Sequence, residues 1–266
     1  MSDAEIKAPD ELSPELRGAL RDLILTLADS KRIMGIRYAD WVLGAPELEA
    51  SIAASSLAQD EWGHSRILYA LLKDFGDDPQ SIEHEREPAE YRNLEALDRP
   101  LETWPQFVVT NAIVDGALTV QLEGLSESRY APLRQRVQKQ LEEERFHEGH
   151  GAAWLKRMGK SSDAARGAVQ GALDETWGRV LHWFGPDDFG AEGVADGLWN
   201  GAGGQLRERF TTRLEPLIQR CELAVPEVEL DFSGWDPASR RGERGGPDQD
   251  AVARARGDKN RSMRLD

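Results

Sequence analysis

The feature that most constrains this chain is an apolar helical stripe with a glutamate and a histidine at its centre. Alternating steps of four and three residues give the positions Ala50, Ala54, Leu57, Glu61, His64, Leu68, Leu71 and Phe75. This spacing places all of them on one face of an α-helix, so Glu61 and His64 are predicted to be buried. The pair is of a kind that binds metal ions.

Similar stripes in three other segments predict four long helices, A to D. Gly and Pro separate the helices and act as start and stop signals. Two further helices are expected near the C-terminus, and the acidic connection between B and C is expected to hold a short turn of helix at "EPAEYRNLE". The predicted spans are Pro14 to about Leu43 (A), the turn at 44–47 to Phe75 (B), 103–128 (C), 133–158 (D), 161–184 and 200–223, with the connection at 77–102. This order predicts an all-α four-helix bundle with a long B–C crossover and additional C-terminal helices.

The two ends of the chain differ in composition from the helical part. Residues 1–12 are expected to form a mobile N-terminus, and residues 13–225 the helical domain. After Pro226 the sequence is rich in charge, Gly and Pro, with too little apolar content for a core. We therefore expect residues 226–266 to be a flexible charged tail or an arm on a partner.

Composition excludes several classes of function. The net charge of −15 argues against a nucleic-acid partner, because phosphate neutralisation requires a dense cationic face. The chain shows neither a signal peptide nor an apolar run long enough to span a bilayer, so we expect a soluble, cytoplasmic protein without a membrane partner. Cys221 is the only cysteine, which excludes an intrachain disulfide and a thiolate cluster. Any metal must therefore be bound by carboxylates and imidazoles.

A second Glu-x-x-His, formed by Glu144 and His147, lies in the middle of the helix D stripe, and Asp115 lies in the middle of the helix C stripe. If C and D reverse direction near residue 130, Asp115 falls level with that pair. Two Glu-x-x-His pairs with carboxylates from other helices are typical of di-iron or di-manganese bundles, and oxygen and nitrogen ligands suit iron that meets dioxygen. The predicted metal ligands are Glu61, His64, Asp115, Glu144 and His147. We regard Glu61 and Glu144 as candidate catalytic residues, because either one is suited to bridge two metal ions.

Helix A places Lys31, rather than a carboxylate, at the corresponding inward position. Asp29 has the right height for a ligand but lies about 160° around the helix from Lys31. Three nearby carboxylates repel one another by about 4 kcal/mol per pair at 4 Å, so either a cation or the uptake of protons is required. Two metal ions, one divalent ion with Lys31, or Lys31 with protonated imidazoles and no metal all satisfy this requirement. We expect His150 to lie behind the ligands or at the surface.

Several segments, in order, resemble the phenylacetic acid catabolic family, which comprises the PaaA and PaaC subunits of phenylacetyl-CoA monooxygenase (epoxidase). They include "ADSKRIMGIRYADW", "GAPELEASIA", "AQDEWGH", "EYRNLE", "IVDGA", "EEERFHEGHGAAWL" and "LHWFGPDD", and the similarity extends from about residue 16 to about residue 230. The five predicted ligands fall on metal-ligand positions of the catalytic subunit. The sixth, a glutamate of helix A, aligns with Lys31 or Arg32. Helix A and "EYRNLE" are more similar to PaaC, whereas "QDEWGH" and "VDGA" are more similar to the catalytic type.

The resemblance implies a ferritin-like bundle with two iron ions, with manganese or a metal-free site as alternatives. It implies a homologous ferritin-like partner subunit, a separate reductase component and a CoA-thioester substrate. The expected reaction is epoxidation of an aromatic ring at a di-iron site, in phenylacetyl-CoA or a similar thioester. The alternative is a non-catalytic, PaaC-like structural subunit whose metal-free site is locked by Lys31. A general iron oxidase of the ferritin type is a third, less favoured interpretation.

Overall fold

The computed structural model describes residues 4–263, and within this range it contains helices and no β-strand. This confirms the predicted all-α class. Two long helices, a connection and further long helices follow one another in the order expected of a ferritin-like fold. The α-helices are α1 (Pro14–Ala39), α2 (Leu48–Leu72), α3 (Pro79–His84), α4 (Trp104–Val109), α5 (Asp115–Glu123), α6 (Ala131–Gly159), α7 (Asp163–Trp183), α8 (Ala191–Ala195), α9 (Gly203–Arg220) and α10 (Gln249–Arg256).

The chain divides into two compact units. The α1–α2 unit consists of residues 8–100 together with the described residues from 243 onwards, and so contains α1, α2, α3 and α10. The α4–α9 unit consists of residues 101–242 together with residues 4–7.

The α1–α2 unit is organised around the antiparallel pair α1 and α2. The Ser13 side chain accepts a hydrogen bond from the backbone N–H of Leu16, and Pro14 occupies the first helical position, as predicted. α2 is followed by a 3₁₀ turn, which is capped at its C-terminal end by Gly76. The φ of Gly76 is 94°, a value that is readily adopted only by glycine. The connection after Gly76 carries α3 and two 3₁₀ turns, Pro88–Glu90 and Glu95–Leu97.

The α4–α9 unit contains a π-helical segment, Thr110–Val114, between α4 and α5. The three pieces form the continuous helical stretch predicted as helix C, and the wider π turn changes which side chains share a face. This π segment packs against α6 and α7, while α5 packs against α6 and α9. Asp115 is the first residue after the π segment.

The four predicted stripes are largely buried, although Trp41 of helix A and Trp154 and Met158 of helix D are only half-buried. Every stripe residue of helix B from Ala50 to Phe75 is buried, and so is every stripe residue of helix C from Trp104 to Leu125.

Several predicted helix ends were wrong. α1 ends at Ala39 rather than Leu43, because residues 40–45 form tight turns, and Pro46 precedes α2 instead of opening it. α5 ends five residues before the predicted end of helix C.

The charged C-terminal segment differs from the predicted flexible tail. It carries α10, in which Ala251, Val252 and Ala255 are buried, and this helix packs on α1. The buried Arg37 of α1 donates a hydrogen bond to Asp248 at 2.6 Å. A short amphipathic helix therefore holds part of the segment in place despite the low overall apolar content. The division of the chain into residues 1–12, 13–225 and 226–266 stays a prediction.

The N-terminal residues also differ from the expected mobile segment where they are described. Ile6 is buried, and its backbone forms hydrogen bonds with Arg129 and Ala131 at 2.8 and 2.9 Å. The prediction for residues 1–3 and 264–266 lies outside the described part of the chain. Among the described helices, none combines the length and apolar character needed to cross a bilayer.

The close approach of α1 and α2 depends on Gly35. A Cβ at this position would lie 2.6 Å from Trp62 Cδ1, whereas a Cβ at Gly63 would meet no atom within 4 Å. We therefore predict that Gly35→Ala lowers the free energy of unfolding by about 1 kcal/mol or more, because Trp62 must move. The control Gly63→Ala should raise it by about 0.5–1 kcal/mol. Urea unfolding measures both, and equal effects would contradict the predicted contact.

Candidate metal centre

Three predicted ligands of the α4–α9 unit come together in its interior. Asp115, Glu144 and His147 each offer an oxygen or nitrogen atom, and these atoms lie within 4.8 Å of one another. His147 Nδ1 is 2.9 Å from Asp115 Oδ2 and 3.7 Å from Glu144 Oε2. All three side chains are buried. Two carboxylates and one imidazole at this separation fit one divalent cation of the iron or manganese type.

The backbone explains why these side chains meet. Glu144 and His147 are three residues apart on α6, so they share a face. Gly151, one turn further along α6, lets that helix approach the π segment closely, because a Cβ there would lie 3.0 Å from Ala112 Cα. Asp115 follows the π segment directly, and it lines the same cavity as Glu144 and His147. The site is therefore built on two packed helices rather than on a loop.

Thr119 adds a hydroxyl group that the sequence pattern did not single out. Its Oγ1 lies 3.1 Å from Glu144 Oε2 and 3.0 Å from the backbone oxygen of Asp115. The hydroxyl has one proton, which it donates to one of these acceptors at a time. Thr119 lies four residues, about one helical turn, after Asp115, and this spacing could have identified it as a neighbour of the predicted ligand. Thr119 is suited to orient the Glu144 carboxylate.

A cavity of about 130 Å³ opens beside this cluster and is lined by the π segment, α5, α6 and α9. Asp115, Glu144 and His147 lie on one side of it. Small or aliphatic residues form much of the remainder, including Ala112, Gly116, Ala152, Leu214 and Leu217. The cluster therefore faces a space large enough for a small group rather than solid protein.

The α1–α2 unit contains the other two predicted ligands. Glu61 and His64 are both buried on α2, as the stripe predicted. Lys31 of α1 reaches Glu61 within the same unit, with 3.1 Å between Nζ and Oε1, and both side chains are fully buried. The ammonium group therefore contacts a carboxylate that the sequence predicts to be a metal ligand. Lys31 is thus one source of the positive charge that the sequence analysis left open at this position.

The buried Lys31–Glu61 pair has a clear energetic consequence. Each charge loses hydration on burial, and the two compensate each other only as a pair. Removal of one partner of such a pair typically costs about 3–5 kcal/mol. The pair thus gives Glu61 a counter-ion without a metal, whereas the cluster of Asp115, Glu144 and His147 has a donor set suited to a cation.

Asp29, whose role was open, is fully engaged in a different network. Its carboxylate accepts hydrogen bonds from Tyr69 Oη at 2.6 Å, from both terminal nitrogens of Arg86, and from the backbone N–H of Arg92. Burial raises the pKa of Tyr69 well above its ordinary value, and Asp29 adds to that rise. Burial opposes the charge on Arg86, but Asp29 outweighs it and raises the pKa of the guanidinium group. These contacts hold the connection after α3 against α1. They also occupy the lone pairs of the Asp29 carboxylate that a metal ion would need.

The remaining histidines take separate positions. His150 Nδ1 lies 2.8 Å from Asn111 Oδ1, one turn beyond His147, so His150 lies behind the cluster as expected. Burial, followed by the proximity of His147, lowers the pKa of His150. His182 Nε2 is 2.9 Å from the backbone oxygen of Asp231 and its ring stacks on Phe232, which agrees with a histidine at the edge of the core.

The Asp29 network yields a test that separates a structural role from metal binding. Asp29→Asn should lower the free energy of unfolding by about 3 kcal/mol, because Arg86 then becomes a buried cation without its counter-ion. The control Asp22→Asn, on the same helix but at a partly exposed ion pair, should cost about 1 kcal/mol at most. Both variants should retain the iron content of the unchanged chain. Loss of iron in Asp29→Asn without loss of stability would contradict this account.

Comparisons with known proteins match the chain to one family and to two relatives. The family described as phenylacetic acid catabolic protein (PaaA_PaaC) matches residues 1–242. The A-type component of 1,2-phenylacetyl-CoA epoxidase from Escherichia coli K12 is 26% identical over 245 residues, covering 91% of this chain and 79% of that protein. The C-type component of the same epoxidase, from the same strain, is 25% identical over 177 residues, covering 64% of this chain and 71% of that protein. The chain therefore belongs to the phenylacetic acid catabolic protein family.

Proposed function

We propose that this chain is a component of a multicomponent oxygenase that epoxidises the aromatic ring of phenylacetyl-CoA or a similar aromatic CoA thioester. The observation that carries the proposal is the buried cluster of Asp115, Glu144 and His147 facing a cavity. The names of the two relatives, both subunits of 1,2-phenylacetyl-CoA epoxidase, support the class of reaction. The finer assignment of substrate is ours.

We assign Asp115, Glu144 and His147 of the α4–α9 unit, together with Glu61 and His64 of the α1–α2 unit, to the binding of iron. Carboxylate and imidazole ligands with open positions are those of iron sites that react with dioxygen. Bound iron would supply the redox chemistry that dioxygen activation requires. Manganese is the alternative metal with the same ligand preference.

The chain's own residues prepare this site in three ways. His147 Nδ1 lies 2.9 Å from Asp115 Oδ2, and this nitrogen can bind a cation only when it carries no proton. Thr119 orients Glu144 through its hydroxyl group. Burial keeps bulk water away from the cluster, which protects a reactive centre from side reactions. Of the carboxylates, Glu61 and Glu144 are the ones we assign as candidate bridges and catalytic residues.

The proposal includes partners. The two relatives are named as subunits, so we infer a homologous ferritin-like subunit as the direct partner. Bound iron would need electrons from outside this chain, and we infer a separate reductase component as their source. The substrate would be a CoA thioester. We place this assembly in the cytoplasm.

A second candidate function is favoured by one observation, the buried Lys31–Glu61 pair. In this alternative the chain is a structural subunit that stabilises a catalytic homologue, and Lys31 takes the place of a metal ion beside Glu61. The 3.1 Å contact satisfies the charge of Glu61 without iron. The two candidates differ in whether the purified chain binds iron.

Anaerobic loading with ferrous iron separates the two candidates. The proposed oxygenase component should retain iron after removal of unbound metal, at a ratio of one or two ions per chain. The structural subunit should retain none, and Lys31→Glu should then create binding by restoring a carboxylate at that position. If the unchanged chain binds iron, the structural alternative is contradicted. If the unchanged chain binds no iron, our proposal is contradicted.

An isosteric substitution that removes one negative charge tests the cluster itself. Glu144→Gln should reduce iron affinity by at least about tenfold, because a carboxamide is a much weaker ligand than a carboxylate. The matched control Glu142→Gln changes an exposed residue on the same helix and should bind iron normally. Metal analysis and equilibrium dialysis give the readout, and equal affinity in the two variants would contradict the assignment.

A further inference from the structure

The buried face of α6 carries a side-chain amide that makes no hydrogen bond within the described part of the chain. Gln140 is 0% exposed, and neither its Nε2 nor its Oε1 has a partner among residues 4–263. Rotation of the amide by 180° exchanges its two ends and leaves both unpaired. A buried polar group without a partner destabilises a folded protein, and native structures contain few of them. A role in binding would explain why Gln140 is an amide.

The position of Gln140 on α6 relates it to the candidate metal ligands. The buried face of the helix runs through Leu133, Val137, Gln140, Glu144 and His147. The two residues before Gln140 on this face are aliphatic and cannot accept a hydrogen bond. Glu144 follows one turn later, about 6 Å along the helix axis. Glu144 is therefore the neighbouring residue on this face whose side chain can accept a hydrogen bond from the amide.

The lean of helical side chains favours a contact between the two groups. Side chains of an α-helix point back toward its N-terminus, so the Glu144 carboxylate is expected to be directed toward the turn that contains Gln140. Polar side chains four residues apart on a helix form hydrogen bonds for this reason. Both side chains are long and flexible, and a change of rotamer is sufficient to bring the amide and the carboxylate together.

A second donor has a clear purpose at Glu144. Thr119 Oγ1 of α5 lies 3.1 Å from Glu144 Oε2, and His147 Nδ1 lies 3.7 Å from the same oxygen. Carboxylates that bind metal ions are commonly held by hydrogen bonds from residues outside the ligand set, and loss of such a bond weakens metal binding. Thr119 approaches from α5, whereas Gln140 lies on α6 with Glu144 itself. Together they would fix the carboxylate from two directions.

We propose that Gln140 is a positioning residue for the metal ligand Glu144, and that its Nε2 donates a hydrogen bond to the Glu144 carboxylate when a cation is bound. The proposal rests on the proposed function, because that function assigns Glu144 to iron. The amide is costly to the metal-free chain, in which it has no partner among the described residues, and it is used once Glu144 serves as a ligand. Gln140 thus lowers stability without metal and raises affinity for metal.

These opposite effects provide the test. Gln140→Met replaces the amide with an unbranched apolar side chain of similar length. Because the variant no longer buries an unpaired amide, we expect the urea midpoint of the metal-free full-length chain to rise by about 0.3 M or more. Its affinity for ferrous iron should fall about tenfold, because Glu144 loses a hydrogen bond that orients it. Anaerobic equilibrium dialysis measures the affinity without any requirement for turnover.

A matched control and a second variant accompany this substitution. Gln138→Met makes the same change at an exposed position of α6 and should leave both the midpoint and the iron affinity unchanged. Gln140→Leu, a second apolar replacement, should behave like Gln140→Met, which guards against poor packing of one side chain. The Mössbauer quadrupole splitting of the bound ferrous ion reports the arrangement of its ligands. It should change in both Gln140 variants and stay constant in Gln138→Met.

The results separate the role of Gln140 from the proposed function. If neither Gln140 variant has a higher urea midpoint, or if both bind iron with the affinity and splitting of Gln138→Met, the positioning role is overturned while iron binding stands. If the unchanged chain binds no iron, the proposed function and the positioning role are both overturned. A higher midpoint, weaker iron binding and an altered splitting, confined to the Gln140 variants, are the results that the proposal expects.

Discussion

The rest of the structure depends on how buried negative charge is compensated. Each unit carries carboxylates in its core, and an uncompensated buried carboxylate is too costly to persist in a folded protein. In the α1–α2 unit the compensation comes from the chain's own cations, because Lys31 contacts Glu61 and Arg86 contacts Asp29. In the α4–α9 unit, Asp115 and Glu144 are instead grouped around one imidazole in an arrangement suited to a cation.

Local backbone features make that grouping possible. The π segment directly before Asp115 alters the register of the helix, and Gly151 allows α6 to pack closely against it. Such π turns occur frequently at functional sites, where they redirect a side chain at the expense of regular packing. The same segment supplies Asn111, so one irregular turn contributes both to the cluster and to the neighbouring cavity.

The sequence predicted the helical class and the buried stripes because a spacing of 3.6 residues is a strong, local signal. It also identified Lys31 as the inward residue of α1, and the structure places it on Glu61. It missed the π segment, because residues 107–114 are mostly apolar and buried on every side, so their spacing does not reveal a wider turn. It also gave no indication that Asp29 is used by Arg86 and Tyr69, since those contacts join segments distant in sequence. The helix in the C-terminal segment was missed because three buried aliphatic residues are too few to stand out among charges.

The central claim is that Asp115, Glu144 and His147 hold an iron ion. The most direct test is anomalous X-ray scattering at the iron absorption edge, from crystals of the full chain prepared anaerobically with ferrous iron. Our account predicts an anomalous peak within bonding distance of His147 Nδ1 and of carboxylate oxygens of Asp115 and Glu144. A well-ordered cluster without such a peak, or a peak only at other residues, would contradict it.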